Sequence, residues 1–262
     1  MTFQSITPFL EVNEILKILS DNLLILLGDD LVGIYLTGSL TYGDFNTARS
    51  DIDFLVVLSR KLSNKQLSSI EQLHNNIGQK YPIWEKRLEG SYVTTEMIKT
   101  SKLPGVKRPY VNGGKIWYCR YGNEWIINLY ALQECGIAIY GPEPKAIFPK
   151  VSIEEVRHAS QKDLVEEWEL KLADPDAFNS HDYDSNHLRN YAVLTMCRIL
   201  HRANNNEMAS KKVASAWVKS SYGVKWRKLI EEAENWEHGK PMSTDAEVKD
   251  FIRFTLSEVR KT

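Results

Sequence analysis

Hydrophobic side chains in the first part of the chain recur with two different periods. Between residues 9 and 27 they return every three or four positions, which is typical of an amphipathic helix. Residues 31–36 and 52–58 are instead short, apolar and rich in β-branched side chains, which is typical of buried strands. Read in this way, the first half contains predicted helices at 9–27, 63–81 and 124–135 and predicted strands at 31–36, 52–58, 88–94, 116–120 and 137–140.

The pattern changes after Pro149. Ser152, followed three residues later by Glu155, is a capping-box signature for the start of a helix. Almost no strand pattern remains beyond it, and the predicted helices are 152–172, 186–203, 210–221, 225–237 and 244–260. We therefore expect an α+β fold with two domains, a domain of strands and helices at 1–150 and an all-α helical domain at 151–262.

Composition limits the classes of partner. The 262 residues carry a formal net charge of −1, whereas proteins that follow a nucleic-acid backbone usually have a basic excess or a basic stripe. The longest apolar run, 23–27, is far too short to span a bilayer, and the first residues lack the pattern of a signal peptide. The three cysteines match no zinc-ligand spacing. We expect a cytoplasmic monomer with no nucleic-acid or membrane partner.

The chemistry is concentrated between residues 37 and 53. Gly38 follows a predicted strand and allows a tight turn whose backbone N–H groups can face an anion, and Ser39 adds a hydroxyl donor. Asp51 and Asp53 are two positions apart at a predicted strand, so both carboxylates point to one face. Two carboxylates that close repel each other unless a cation lies between them. The pair therefore predicts an Mg²⁺ site.

This turn and the two aspartates resemble the signature of the polymerase-beta-like nucleotidyltransferase superfamily. More closely, the chain resembles the aminoglycoside nucleotidyltransferases that adenylylate streptomycin or spectinomycin. The resemblance extends over nearly the whole sequence and includes RLEGSY at 87–92, IYGP at 139–142, LTMCR at 194–198 and SKKVA at 210–214. It implies an N-terminal nucleotidyltransferase domain with a mixed sheet flanked by helices. It also implies that ATP and Mg²⁺ are required and that AMP is transferred to a hydroxyl group with release of pyrophosphate.

The resemblance also assigns roles to individual residues. Glu89 corresponds to the base that deprotonates the acceptor hydroxyl, beside the catalytic pair Asp51 and Asp53. The nucleotide contacts that we predict are Gly38, Ser39, Ser50, Arg198 and Lys211. Arginine and lysine are chemically suited to this task because the leaving pyrophosphate needs charge neutralisation.

The acceptor implied by the resemblance is a cationic aminoglycoside or aminocyclitol antibiotic, so its pocket should be acidic or aromatic. The candidate residues are Trp117, Glu124, Trp125, Asp182 and Asp184. The streptomycin and spectinomycin enzymes carry an acid-Glu-Arg-Asn run before the LTxxR helix, whereas this chain has HLRN at 187–190. The acid of that run is therefore missing here or displaced to Asp184.

Two other functions fit the same residues. The chemistry could act on another small-molecule acceptor, such as a lincosamide or a cellular metabolite. The chain could also be a nucleotide-binding regulatory or antitoxin-like module without turnover. The intact set of Gly38, Ser39, Asp51, Asp53 and Glu89 argues against the second alternative, because a module without turnover does not need a metal-binding pair.

Overall fold

The computed structural model describes residues 5–179, 184–237 and 239–262. The chain divides into two compact units, Met1–Val151 and Ser152–Thr262. No helix in the described part of the chain is long and apolar enough to cross a membrane.

The first unit is built on a six-stranded sheet. Its helices are α1 (Leu10–Leu27), α2 (Asn64–Lys80), α3 (Glu124–Cys135) and α4 (Pro144–Ile147). Its strands are β1 (Leu31–Thr37), β2 (Ile52–Leu58), β3 (Leu88–Thr94), β4 (Arg108–Asn112), β5 (Lys115–Cys119) and β6 (Ile137–Tyr140). The sheet order is β5-β4-β3-β2-β1-β6. Only β2 and β3 are parallel among the paired strands that the structure describes, so the sheet is mixed.

Helices α1 and α2 cover one face of this sheet. Their apolar sides share one hydrophobic core with alternate residues of the strands, such as Phe54 and Val56 of β2. Ser63 begins α2 with a capping box completed by Gln66, which confirms the predicted start of this helix. Because side chains alternate along a strand, Asp53 and Leu55 point to the opposite face. On that opposite face Leu55 and Val57 are also buried, whereas Asp53, near the start of β2, is only partly buried.

The second unit contains only helices among its described residues. They are α5 (Ile153–Asp163), α6 (Leu170–Ala173), α7 (Ser185–Asn205), α8 (Lys211–Ser221), α9 (Val224–Asn235) and α10 (Asp245–Val259). Ser152 and Glu155 form the predicted capping box at the start of α5. The core is a single cluster to which α7 contributes the largest share of buried side chains. The mixed sheet with flanking helices and the mostly helical C-terminal part confirm the predicted α+β class.

Two local features differ from the expectations. Strand β4 was not predicted, because the run Arg108-Pro109-Tyr110 contains a charge and a proline, which are rare inside strands. The helix expected over 152–172 is interrupted by a π-helical turn at Leu164–Glu169. The Nε1 of Trp168 donates to Oδ2 of Asp163 at 3.1 Å, across the same five-residue spacing as the backbone hydrogen bonds of a π-helix.

Candidate active site

Two carboxylates stand side by side on the sheet face opposite α1 and α2. Asp53 on β2 and Glu89 on β3 are direct partners in the parallel register, so their side chains point to the same face. Thr37, the last residue of β1, is the partner of Asp53 on its other side. The parallel pairing is possible because α2 carries the chain back between the two strands. The structure thus joins two acids that are far apart in sequence.

The turn at Gly38 fits closely against Asp53. Gly38 has φ +69°, a conformation that side-chain-bearing residues rarely adopt. A Cβ atom at this position would lie 2.0 Å from Oδ2 of Asp53. Glycine is therefore required both by the backbone conformation and by the approach of the turn to the carboxylate. This close approach forms a cradle of main chain beside the acid.

The rest of the loop is held by its own hydrogen bonds. The N–H of Asp44 donates to the carbonyl of Ser39 at 3.2 Å, and the N–H of Ser50 donates to the carbonyl of Asn46 at 2.8 Å. The hydroxyl of Ser50 accepts from the N–H of Asn46 at 3.0 Å. Ser39 and Ser50, which the sequence predicts to contact the nucleotide, therefore both lie in the hydrogen-bonded segment that joins β1 to β2.

Arg87 fixes the end of this loop, and the sequence-based search for site residues did not single it out. Its guanidinium donates to the carbonyls of Thr47, at 2.9 Å, and Ser50, and lies 4.5 Å from the ring centroid of Trp84. Its Nε lies 3.7 Å from Oδ1 of Asp51, which is an ion pair rather than a hydrogen bond. Burial lowers the pKa of Arg87, and the Asp51 carboxylate opposes that shift. Arg87 thus ties Asp51 to the loop that precedes β2.

The donor set suits a hard divalent cation. Asp51 immediately precedes β2, and Asp53 is its second residue. Mg²⁺ commonly takes one or two protein carboxylates and completes its shell with phosphate oxygens and water. The Asp53 carboxylate packs directly against the main chain of the Gly38 turn. Within the described residues, no group of three or more His, Cys, Asp or Glu side chains could hold a metal ion by itself. Two carboxylates are within the number that Mg²⁺ commonly takes from a protein.

A second polar group reaches Glu89 from β4. The hydroxyl of Tyr110 donates to Oε2 of Glu89 at 3.1 Å, and Nδ2 of Asn112 donates to that hydroxyl at 2.8 Å. The sequence pattern did not reveal either residue, because the strand that carries them was not predicted. Long-range pairing of β3 with β4 places them beside the acid.

The three acceptor candidates of the first unit have different surroundings. Trp117 on β5 is the register partner of Tyr110, so it shares the face of the carboxylates, and it is 39% exposed. Glu124 begins α3, and its Oε1 accepts from the N–H of Gly122 at 2.9 Å. Trp125 is almost fully buried and packs on Tyr121, with ring centroids 4.4 Å apart. Of these three residues, only Trp117 presents an exposed aromatic surface.

The predicted residues of the second unit lie on or beside two helices. On α7, Nη2 of Arg198 donates to Thr195 at 3.3 Å, whereas its buried Nε has no hydrogen-bond partner. Lys211 is the first residue of α8, and its Nζ lies 6.0 Å from the ring centroid of Tyr191. Asp184 caps α7, with Oδ1 accepting from both nitrogens of Asn186. Asp182, the remaining acceptor candidate, lies outside the described residues.

Two family models match the chain, one in each half. Residues 12–89 match the family model of the nucleotidyltransferase domain. Residues 146–258 match the family model of the aminoglycoside adenylyltransferase C-terminal domain. These matches confirm the resemblance and identify the activity class as nucleotidyl transfer. A search of curated proteins finds no match.

A solved structure shows the same fold over most of the chain. The spectinomycin adenyltransferase AAD(9) from Enterococcus faecialis, solved with ATP and spectinomycin, is 21% identical with a TM-score of 0.73. That match covers 94% of this chain and 98% of the other. A toxin-antitoxin structure with AMP-PNP is 16% identical with a TM-score of 0.30, over 62% of this chain and 96% of that one.

Proposed function

Because the chain is a nucleotidyltransferase that also carries the aminoglycoside adenylyltransferase C-terminal domain, we propose that it transfers AMP from ATP to a hydroxyl of an aminoglycoside- or aminocyclitol-type antibiotic. The observation that carries the proposal is the pairing of Asp53 with Glu89 across β2 and β3, beside the Gly38 turn. The pairing puts a candidate metal ligand next to a candidate base. Adenylyl transfer needs the metal at the α-phosphate and the base at the hydroxyl that attacks this phosphate.

In the proposed reaction, Glu89 takes the proton of the acceptor hydroxyl. The resulting oxygen attacks the α-phosphorus of ATP and forms the new P–O bond. The bond between the α-phosphorus and the bridging oxygen breaks, and the electron pair leaves with pyrophosphate. Mg²⁺ held by Asp51 and Asp53 would supply charge neutralisation for the phosphate oxygens and help to orient them. Backbone groups at Gly38 and the hydroxyls of Ser39 and Ser50 would bind the polyphosphate.

In the second unit, we assign Arg198 and Lys211 to the binding of phosphate oxygens. The buried Nε of Arg198 has no hydrogen-bond partner, and an unsatisfied charged donor is costly to bury. A phosphate oxygen would remove that cost. Lys211 stands at the N-terminus of α8, where the backbone N–H groups and the ammonium would both favour an anion.

The acceptor is proposed from two observations. The similar AAD(9) structure was solved with spectinomycin, and the exposed ring of Trp117 lies on the carboxylate face. An aromatic face beside acids can hold a cationic ligand. Asp184 is used to cap α7, so the acid expected in the streptomycin and spectinomycin enzymes has a local role here. A lincosamide or a cellular metabolite is therefore the alternative acceptor.

The test is an acceptor panel with the purified full-length protein. ATP and MgCl₂ are combined with spectinomycin, streptomycin, other aminoglycosides and a lincosamide, and pyrophosphate release is measured. Mass spectrometry should show the acceptor heavier by one adenylyl group. The Asp53→Asn variant is the matched control and should be inactive. If no antibiotic is modified but a metabolite extract is, the chemistry stands and the acceptor proposal is wrong. If neither is modified, the transfer proposal is wrong.

A further inference from the structure

Glu89 is held by a hydrogen-bonded pair of side chains on the neighbouring strand. Tyr110 on β4 is the register partner of Ser91 on β3. Since Ser91 and Glu89 are two positions apart, Tyr110 and Asn112 point to the same face as Glu89. This is the face that carries Asp53. The arrangement brings a phenol and an amide to the edge of the carboxylate row.

The direction of the hydrogen bonds between Asn112, Tyr110 and Glu89 follows from which groups can donate. The amide Nδ2 of Asn112 can only donate, so the Tyr110 oxygen accepts from it, at 2.8 Å. The phenol proton is then directed at Oε2 of Glu89, at 3.1 Å. A carboxylate accepts such a bond most strongly when it is ionised, which is the form that a general base needs. The chain of donors therefore runs from Asn112 through Tyr110 to Glu89.

Asn112 is itself firmly placed. It is the last residue of β4 and pairs with Lys115 across the turn formed by Gly113 and Gly114. Both glycines have positive φ, as a two-residue hairpin turn with the twist of its strands requires. The backbone carbonyl of Asn112 accepts from Nε1 of Trp117 at 3.3 Å, and the residue is only 8% exposed. The first donor of the relay thus belongs to a tight hairpin rather than to a mobile loop.

We propose that Tyr110, oriented by Asn112, is a positioning residue that sets the Glu89 carboxylate for proton abstraction; this inference rests on the proposed function. A glutamate side chain has several rotatable bonds, and the adjacent Asp53 carboxylate repels it. The phenol bond selects one orientation of the carboxylate. A base must lie within hydrogen-bond reach of the proton that it takes, so the orientation sets the rate of the chemical step. Nucleotide affinity is not expected to depend on it.

The kinetic test compares Tyr110→Phe with the parent enzyme and with Tyr118→Phe. Tyr118 pairs with Pro109 on the same hairpin, so its side chain points to the opposite sheet face and makes a matched control. Tyr110→Phe should lower kcat about 10- to 100-fold with the KM for ATP within about twofold, because misplacement of the base acts on chemistry. Tyr118→Phe should retain the parent kcat. An unchanged kcat in Tyr110→Phe, or a loss carried by KM alone, would overturn the proposal.

A double-mutant comparison separates positioning from general damage. In a Glu89→Gln background the base is absent, so adding Tyr110→Phe should cause no further loss of rate. An equal fold-loss in both backgrounds would show that Tyr110 acts independently of Glu89. The nearly isosteric Asn112→Asp replaces the donor by an acceptor that competes for the phenol proton, so it should reproduce the kcat loss of Tyr110→Phe. A parent-like kcat in this variant would contradict the role of Asn112.

A readout that needs no turnover distinguishes this inference from the proposed function. The protein is labelled with tyrosine carrying ¹³C at Cζ, and the Tyr110 resonance is assigned by its loss in Tyr110→Phe. That resonance should shift in Glu89→Gln and in Asn112→Asp, and should keep its position in Tyr118→Phe. If the resonance shifts but the parent transfers no adenylyl group to any acceptor, the contact stands and the proposed function fails. If transfer occurs but the resonance does not shift, the positioning proposal fails alone.

Discussion

The Gly38→Ala substitution tests how closely the turn must approach Asp53. The added Cβ would lie 2.0 Å from Oδ2 of Asp53, and since ordinary non-bonded contacts are about 3.5 Å, the turn or the carboxylate must move by roughly 1.5 Å. The left-handed backbone adds about 1–2 kcal/mol of strain. A displacement of about 1 Å at a reacting group can cost about 100-fold in rate. We therefore expect a stability loss of about 1–2 kcal/mol and a rate loss of about 100-fold.

Gly43→Ala is the matched control for this substitution. Gly43 also has a positive φ, +76°, but nothing lies within 4 Å of a Cβ built on it. It should show the backbone strain without the collision. Thermal unfolding should therefore place both variants about 2–4 °C below the parent for each kcal/mol lost. Adenylyl transfer, measured as pyrophosphate release with the acceptor found in the panel, should fall only in Gly38→Ala.

Two outcomes of the Gly38→Ala and Gly43→Ala measurements would contradict this reasoning. If Gly38→Ala keeps at least a third of the parent rate, the close approach of the turn to Asp53 does not matter to the chemistry. If both variants lose the same activity, backbone strain in the loop explains the effect and the collision does not.

Four further results are expected. Asp53→Asn should lower transfer more than about 100-fold while circular dichroism shows an intact fold, because the metal pair loses one charge; a rate within tenfold of the parent would remove the metal assignment. Glu89→Gln should lower kcat by about 10² to 10⁴ and still bind ATP by calorimetry; lost ATP affinity would make Glu89 a nucleotide or metal ligand instead. Arg198→Ala should weaken ATP binding about 10- to 100-fold at fixed Mg²⁺ and salt. The control Arg227→Ala, on the exposed side of α9, should leave ATP binding unchanged. Equal ATP affinities of the two variants would exclude Arg198 from phosphate binding. Burial lowers the pKa of His74 from 6.5 to about 4. As the pH falls, His74 therefore takes up a proton in the unfolded chain before it does so in the folded protein. The free energy of unfolding should drop by roughly 3 kcal/mol between pH 6.5 and pH 4. His74→Gln should flatten this part of the pH–stability curve, and an unaltered slope would refute the assignment.

The periodicity of apolar residues was enough to locate most of the elements. Strands β3 and β6 and helix α3 occur at the predicted residues, because each is a run whose period and end signals agree with its burial in the fold. The capping box at Ser152 is a local interaction between residues three apart, so it too could be read directly. The nucleotidyltransferase signature at 38–53 was readable for the same reason, since its residues are close together in sequence.

The site as an assembly was decided by the tertiary structure. Asp53 and Glu89 become neighbours only through the parallel register of β2 and β3, which depends on the packing of α2 across the sheet. Strand β4 was invisible in the sequence, because a proline and a buried arginine stand in it. Its pairing with β5 compensates, because Arg108 donates to the carbonyls of Cys119, the last residue of β5, and of Arg120. The donors that reach Glu89 arrive with that strand. Periodicity reports which face of an element is buried, but the register between elements depends on interactions between residues distant in sequence.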